Sequence, residues 1–334
     1  MNAPLLELKT ISKRFERKLD AAGRIARALG AKLREETVHA VDRVDLTIRK
    51  GEVVRLVGES GCGKSTLGRL VVGLHHQSEG EKFWRGQNVA SMTASEKRAM
   101  HLEAQMIFQD PYASLNPRYR VEDIIGEAPV VHGMVGARDK TAYVAEVMQR
   151  VGLDPALSRR FPHQFSGGQR ARIGIARALA VKPNFLVCDE AVAALDVSIQ
   201  AQVLNLFIQL REELKLTYLF ISHDLGVVRH LSDRVVIMYL GRVVEAAPTE
   251  ELFANPNHPY TQGLLAEVPS LVARKKDFIA IKGEIPSPLN PPTGCHFHPR
   301  CPHARSVPGD RCKLEPPPLK EIAANRFSAC HLNQ

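Results

Sequence analysis

Eight consecutive residues, Gly58-Glu59-Ser60-Gly61-Cys62-Gly63-Lys64-Ser65, fit the pattern G-x-x-x-x-G-K-[ST]. Glycines let a backbone wrap closely around phosphate oxygens, and a helix that starts inside the loop aims unpaired N–H groups at the anion. In this pattern Lys64 reaches the β- and γ-phosphates of a nucleoside triphosphate and the Ser65 hydroxyl coordinates Mg²⁺, with Thr66 next in the cradle. A second constellation is Phe185-Leu186-Val187-Cys188-Asp189-Glu190, an apolar run ending in two carboxylates. Asp189 is placed to hold Mg²⁺ and Glu190 to act as general base on an attacking water, because phosphoryl transfer asks for charge neutralisation and a positioned water more than for covalent chemistry. Between the two lies Ser166-Gly167-Gly168-Gln169-Arg170, another serine–glycine start to a helical stretch and so another anion-binding N-terminus.

These residues need particular elements beneath them. Val53-Val54-Arg55-Leu56-Val57 reads as a strand entering the glycine loop, and Thr66–Val72 as the helix leaving it. The run 185–188 reads as a strand delivering its carboxylates at the C-terminal end, where open α/β sheets bind ligands. Between residues 110 and 165 apolar residues recur at three- and four-residue spacing, in 121–127 and 141–151, which predicts helices.

The chain has 334 residues, 44% hydrophobic and 24% charged, room for one large domain or two ordinary ones. No apolar run reaches the ~18 residues of a membrane span. The first residues lack a basic segment followed by an apolar core, so no secretory leader is expected and the chain is placed in the cytoplasm. There thiols stay reduced, and the six cysteines do not read as a disulfide framework. The net charge of +9 is compatible with nucleic acid, with an anionic membrane surface, or with nothing specific.

The pentapeptide Ser166–Arg170, standing between the two phosphate motifs, resembles the signature of the ATP-binding cassette family. The resemblance implies an α/β P-loop fold: a RecA-like core, an antiparallel β subdomain and an α-helical signature subdomain at about 110–170. It implies further site residues. Gln109 resembles the glutamine that contacts Mg²⁺ and the lytic water; Asp196, in Ala194-Leu195-Asp196, lies in the loop that crosses to an opposite monomer, with Ala193 where a serine is common; His223 resembles the histidine on the γ-phosphate. Phe15 is the candidate to stack on adenine, with a buried core phenylalanine as the alternative. Two such cassettes pair head to tail, so Ser166, Gly167, Gly168 and Gln169 would serve the ATP held by the partner's loop.

Three segments narrow the resemblance: 108–118 with Pro-Tyr-Ala-Ser-Leu-Asn-Pro-Arg, 161–170, and 255–265 with Asn-Pro-Asn-His-Pro-Tyr. They resemble the F-type ATPase of bacterial oligopeptide/dipeptide importers. That implies a cassette domain over 1–254 and a C-terminal domain over 255–334. It implies a D-type ATPase and two transmembrane permease chains as partners, a periplasmic solute-binding protein indirectly, and a peripheral location on the inner membrane's cytoplasmic side, with 109–116 as the candidate permease contact. Relatives of this branch serve peptides or related small solutes. The alternative is a soluble cassette ATPase acting on nucleic acid or the ribosome; a single cassette with no long coiled-coil insertion argues against it, and no nucleic acid is expected.

Two segments stand apart. Residues 13–34 carry eight Lys/Arg and two Asp/Glu, with Ile25, Leu29 and Leu33 spaced by four. They read as a basic amphipathic helix, either touching anionic headgroups or the permease rim, or lying solvated on its own domain. The proline-rich stretch after residue 284 holds Cys295, Cys301 and Cys312, with Cys330 just beyond, while Cys62 and Cys188 belong to the ATPase core. Four thiols in a short irregular segment suggest a metal centre, [4Fe–4S] or Zn²⁺, with reduced structural thiols as the third reading. The wording Cys295-x-Phe297-x-x-Arg300-Cys301-Pro302 resembles the cysteine motif that peptide-importer ATPases link to a [4Fe–4S] cluster.

Overall fold

A computed structural model describes residues 4–17, 30, 35–110, 112–223, 231–267, 281 and 283–333. Of the segment 13–34 expected as a basic amphipathic helix, Lys13–Arg17 instead end strand β1, and the part with Arg24, Ile25, Arg27, Leu29 and Leu33 lies outside the described residues. The strands are β1 (Pro4–Arg17), β2 (Glu36–Arg49), β3 (Val53–Val57), β4 (Glu79–Trp84), β5 (Gln87–Asn88), β6 (Ala104–Ile107), β7 (Phe185–Asp189), β8 (Thr217–Ser222), β9 (Arg234–Tyr239), β10 (Arg242–Pro248), β11 (Lys320–Ala323) and β12 (Arg326–Ser328). The helices are α1 (Lys64–Val72), α2 (Ala94–Glu103), α3 (Val121–Val131), α4 (Lys140–Arg150), α5 (Gly167–Leu179), α6 (Val197–Leu214), α7 (Thr249–Ala254), α8 (Pro259–Ala266) and α9 (Arg311–Leu314).

Two sheets organise them. A four-stranded sheet runs β2-β1-β4-β5, antiparallel throughout. The larger sheet runs β11-β12-β10-β9-β3-β8-β7-β6. Its segment β9-β3-β8-β7-β6 is parallel. Strands β3 and β7 are buried along their whole length. Their near-continuous apolar sequence follows, since a parallel strand is covered on both faces. One core cluster joins this sheet to α3, α4, α5 and α6, and a second joins it to the antiparallel sheet through α1. The expected α/β cassette architecture is therefore observed, down to the helices over 121–127 and 141–151.

The C-terminal segment departs from the irregular structure expected of it. Beyond the prolines, β11 and β12 form a hairpin whose turn holds Asn325 at φ 57°, and β12 pairs antiparallel with β10, Glu245 opposite Ser328. The tail thus extends the cassette's own sheet. Leu319 and Phe327 pack against the second core cluster, and Cys295 and Phe297 share a third one with Val57, Tyr239 and Tyr260. The hairpin signal was short: two runs of three or four residues around Ala-Asn, overshadowed by the prolines that precede them.

Candidate active site

Four neighbouring strands of the parallel sheet end on the same side, and each hands over one group of functional residues. The glycine loop follows β3, Gln109 follows β6, Glu190 follows β7 and His223 follows β8. Gly63, the N-cap of α1, sits at φ 103°, and a Cβ there would lie 2.0 Å from the Ala40 carbonyl oxygen, so only glycine fits. No side chain caps α1. Its first turn is therefore open to an anion, and a cleft of about 470 Å³ lies in front of it. Ser60, Gly61, Gly63, Lys64, Ser65 and Thr66 line that cleft together with Gln109, Glu190 and Phe15.

The polar side chains are already in register. Ser65 Oγ donates to Asp189 Oδ1 at 2.8 Å across 124 residues of sequence. Gln109 Nε2 donates to Glu190 Oε2 at 2.7 Å, and His223 Nδ1 lies 3.2 Å from Glu190 Oε1, so one carboxylate is held from both sides. Glu190 is at φ 46°, in the left-handed region, with its N–H donating to the Ile221 carbonyl at 3.0 Å. A non-glycine residue held there costs on the order of 1–3 kcal/mol, a strain that surrounding structure tolerates at functional positions. Burial pushes the Asp189 carboxyl upward in pKa, partly offset by the Ser65 hydroxyl. A divalent cation would oppose that shift. Ser65 Oγ and Asp189 Oδ1, hard oxygen donors side by side, fit Mg²⁺.

The remaining expected site residues divide between the cleft wall and other places. Gly58, Glu59 and Cys62 do not line the cleft. Glu59 turns its carboxylate to Arg300, and Cys62 is buried, its thiol pushed up in pKa by that burial. Lys64 Nζ donates to the carbonyls of Gly58 at 2.7 Å and Glu59 at 2.9 Å. Phe15 is 38% exposed, edge-on to His75, with Lys13 Nζ 5.0 Å from its ring; it is a cleft-wall aromatic and not a core residue. Ser166, Gly167, Gly168, Gln169 and Asp196 stand apart from the cleft. Ser166 and Gln169 form a capping box that starts α5, each side chain accepting the other's backbone N–H, and Asp196 begins α6.

Five residues at the cleft or behind it were not anticipated: Val38 and Ala40 of β2 line the cleft, and three more come from the C-terminal part. Pro288 lines the cleft, and its carbonyl accepts the His39 N–H at 3.0 Å. Tyr260 and Arg300 hold Glu59 from behind. Both stand in segments that the sequence singled out for other reasons, and nothing local in those segments points to a loop more than 200 residues away.

The metal expectation for the C-terminal cysteines finds no support in their arrangement. Cys295 lies within electrostatic range of Cys301, Cys312 and Cys330. Even so, among the described residues no group of three or more His, Cys, Asp or Glu side chains is arranged to hold a metal ion. All four thiols are raised in pKa by burial, Cys295 to about 12.

A glycine loop at a helix N-terminus, a buried aspartate beside the loop serine and a glutamate clasped by glutamine and histidine define a P-loop nucleoside triphosphatase. Residues 41–193 match the family described as ABC transporter, and residues 244–307 match the oligopeptide/dipeptide transporter C-terminal region. The oligopeptide transport ATP-binding protein AppF of Bacillus subtilis is 48% identical over 332 residues, covering 98% of this chain and 97% of its own. The dipeptide transport ATP-binding protein DppF of Haemophilus influenzae is 42% identical over 330 residues, with coverage of 98% and 97%. A solved structure described as the dimeric structure of MJ0796, a bacterial ABC transporter cassette, aligns with a TM-score of 0.61 at 26% identity, over 73% of this chain and 98% of that one. The chain belongs to the ATP-binding-cassette ATPases, in the branch of the oligopeptide/dipeptide transport ATP-binding proteins.

Proposed function

We propose that this chain is the ATP-hydrolysing subunit of an importer for di- or oligopeptides or related small solutes. The observation that carries the reading is the meeting of Lys64, Ser65, Gln109 and Glu190 at one cleft, in a chain that is related over nearly its whole length to peptide-transport ATP-binding proteins. The nucleic-acid alternative has no support among these relatives.

In this reading Lys64, the loop amides and the N-terminus of α1 bind the ATP phosphates, and the Phe15 ring stacks on the base. Mg²⁺, held by Ser65 and Asp189 with Gln109 nearby, would neutralise the β- and γ-phosphate charge. Glu190 accepts a proton from the attacking water, while Gln109 and His223 fix its orientation, and closure over the site excludes bulk water. The signature residues Ser166–Gln169 and Asp196 act on the ATP of a second cassette docked head to tail, the D-type ATPase of a heterodimer. Two permease chains bind near 109–116, where Tyr112 is 62% exposed and Arg170 of the signature helix lies 3.8 Å from its ring centroid. That contact would carry permease movement into α5. A periplasmic binding protein supplies the solute, and the subunit sits peripherally on the inner face of the membrane. Among the described residues no helix is long and apolar enough to cross it. Residues 1–254 form the cassette and 255–334 its C-terminal region, where the four thiols brace the proline-rich segment; metal analysis of the freshly isolated chain decides between bracing thiols and a [4Fe–4S] or Zn²⁺ centre.

The experiment is an affinity pull-down of the chain from membranes in mild detergent, followed by mass spectrometry. Two permease chains and a second cassette ATPase are expected. Recovery alone, or with nucleic acid, would overturn the transport reading.

A further inference from the structure

The second residue of the phosphate loop does not face the cleft, yet every polar group it owns is engaged. The Glu59 N–H donates to Tyr260 Oη at 2.9 Å. Its carbonyl accepts Lys64 Nζ at 2.9 Å. Its carboxylate receives both arms of the Arg300 guanidinium, Nη1 to Oε2 at 2.8 Å and Nη2 to Oε1 at 3.0 Å. A two-armed guanidinium–carboxylate pair fixes direction as well as distance. This pair is shielded: the Arg300 side chain is 6% exposed and that of Glu59 23%. The supports are themselves rigid. Tyr260 is fully buried and packs against Tyr239 at 4.7 Å and Phe297 at 5.4 Å between ring centroids, and Arg300 Nη1 also reaches Tyr239 Oη at 3.5 Å. A continuous path therefore runs from Arg300 and Tyr260 through Glu59 to Lys64.

We infer that Arg300, with Tyr260, is a positioning residue for ATP binding: the C-terminal segment sets the phosphate loop's shape from behind, and through it the place of the Lys64 ammonium. Neither residue touches nucleotide. Removing the Arg300 fork leaves Glu59 with an unmatched carboxylate in a shielded place, and the loop relaxes to solvate it. Displacements of about 1 Å behind a binding site weaken it on the order of tenfold or more. The inference rests on the reading of the cleft as the ATP site.

The test uses the full chain and follows ATP turnover against ATP concentration, with melting temperature measured in parallel. Arg300→Met should raise the KM for ATP about tenfold with kcat kept within about twofold. Arg300→Lys, which keeps the charge and loses the fork, should recover part of that loss. Glu59→Gln should resemble Arg300→Met, and the double variant should be no worse than either single one, because both cut the same path. An unchanged KM in Arg300→Met, with only the melting temperature lowered, would overturn the inference and leave a merely structural pair. Losses that multiply in the double variant would also overturn it. If Arg300→Met shows no cooperative melt, the KM of Arg300→Lys decides in the same way. Lys64→Ala separates the two levels: ATP binding that survives it sinks the reading of the cleft, whereas its loss beside an unaffected Arg300→Met sinks only the role of Arg300.

Discussion

On its cleft side the phosphate loop presents Ser60, Gly61, Gly63, Lys64 and Ser65 to open space, and on its other side Glu59 is locked against Tyr260 and Arg300. The cleft side is assembled from neighbours in the sheet: strands β3, β6, β7 and β8 lie next to one another, so their following residues meet with little further help. The rear is assembled from aromatic packing among Tyr239, Tyr260 and Phe297, dry and shape-dependent. Chemistry is placed by topology in front, and geometry is held by packing behind. Damage to the front should therefore strike turnover, and damage to the rear should strike stability and affinity.

The sharpest way to break that contrast is Glu190→Gln. It keeps the side chain's shape and removes its proton affinity, so turnover should fall by about 10²–10⁴-fold while ATP binding and melting temperature hold. Unchanged turnover would remove Glu190 as the base. Phe297→Ala is the counterpart at the rear. It empties a site that is 2% exposed, and the cost in unfolding free energy should be about 3–5 kcal/mol by denaturant titration. A cost below about 1 kcal/mol would mean the rear is not a packed support.

Acid should reach the rear first. Burial drops the His258 pKa to about 3, and its Nδ1 accepts the Tyr260 N–H at the start of α8. The unfolded chain takes up this proton near the ordinary value of 6.5 and the folded chain only near 3. Stability from this group is therefore complete above about pH 6.5 and is lost as pH falls toward 3, by about 1.4 kcal/mol per pH unit for one proton. His258→Asn keeps a capping acceptor that does not titrate, so the acid limb of the stability curve should flatten by that amount. An identical limb in the variant would assign the acid sensitivity to other groups.

The smallest effect separates the signature's two duties. Ser166→Ala loses a helix cap and should cost about 1 kcal/mol of stability, whereas Ser166→Asp keeps a good cap and should melt within a few tenths of wild type. If the signature also meets a partner's γ-phosphate, Ser166→Asp should nonetheless lose ATPase activity, because its carboxylate would face that phosphate. Full activity in Ser166→Asp would confine Ser166 to capping.

The same contrast explains what was legible in the sequence. Lys64, Ser65, Asp189, Glu190 and the cap at Ser166 are legible because each belongs to a local strand–loop–helix wording whose spacing is set by backbone geometry. The helices at 121–131 and 140–150 are legible from their period. The rear is not: Arg300 is 241 residues from Glu59, and its neighbours Cys301 and Pro302 suggest a different use. The β11–β12 hairpin was hidden because its strands are too short to show an alternation. The role of the four C-terminal cysteines was not legible either, because spacing alone does not say whether thiols brace a segment or hold a metal.

The pairing of β12 with β10 carries a consequence for how the molecule is made. Synthesis runs from the N-terminus, so the phosphate loop leaves the ribosome long before Tyr260 and Arg300, which brace it, and before Arg326–Ser328, which cover the open edge of β10. Until those residues emerge, the nascent chain carries every phosphate motif on an unbraced loop and an uncovered strand edge. The last quarter of this sequence thus completes the site: on the positioning role inferred for Tyr260 and Arg300, full nucleotide affinity waits for them to emerge, and a nascent chain that lacks Arg326–Ser328 leaves the β10 edge open.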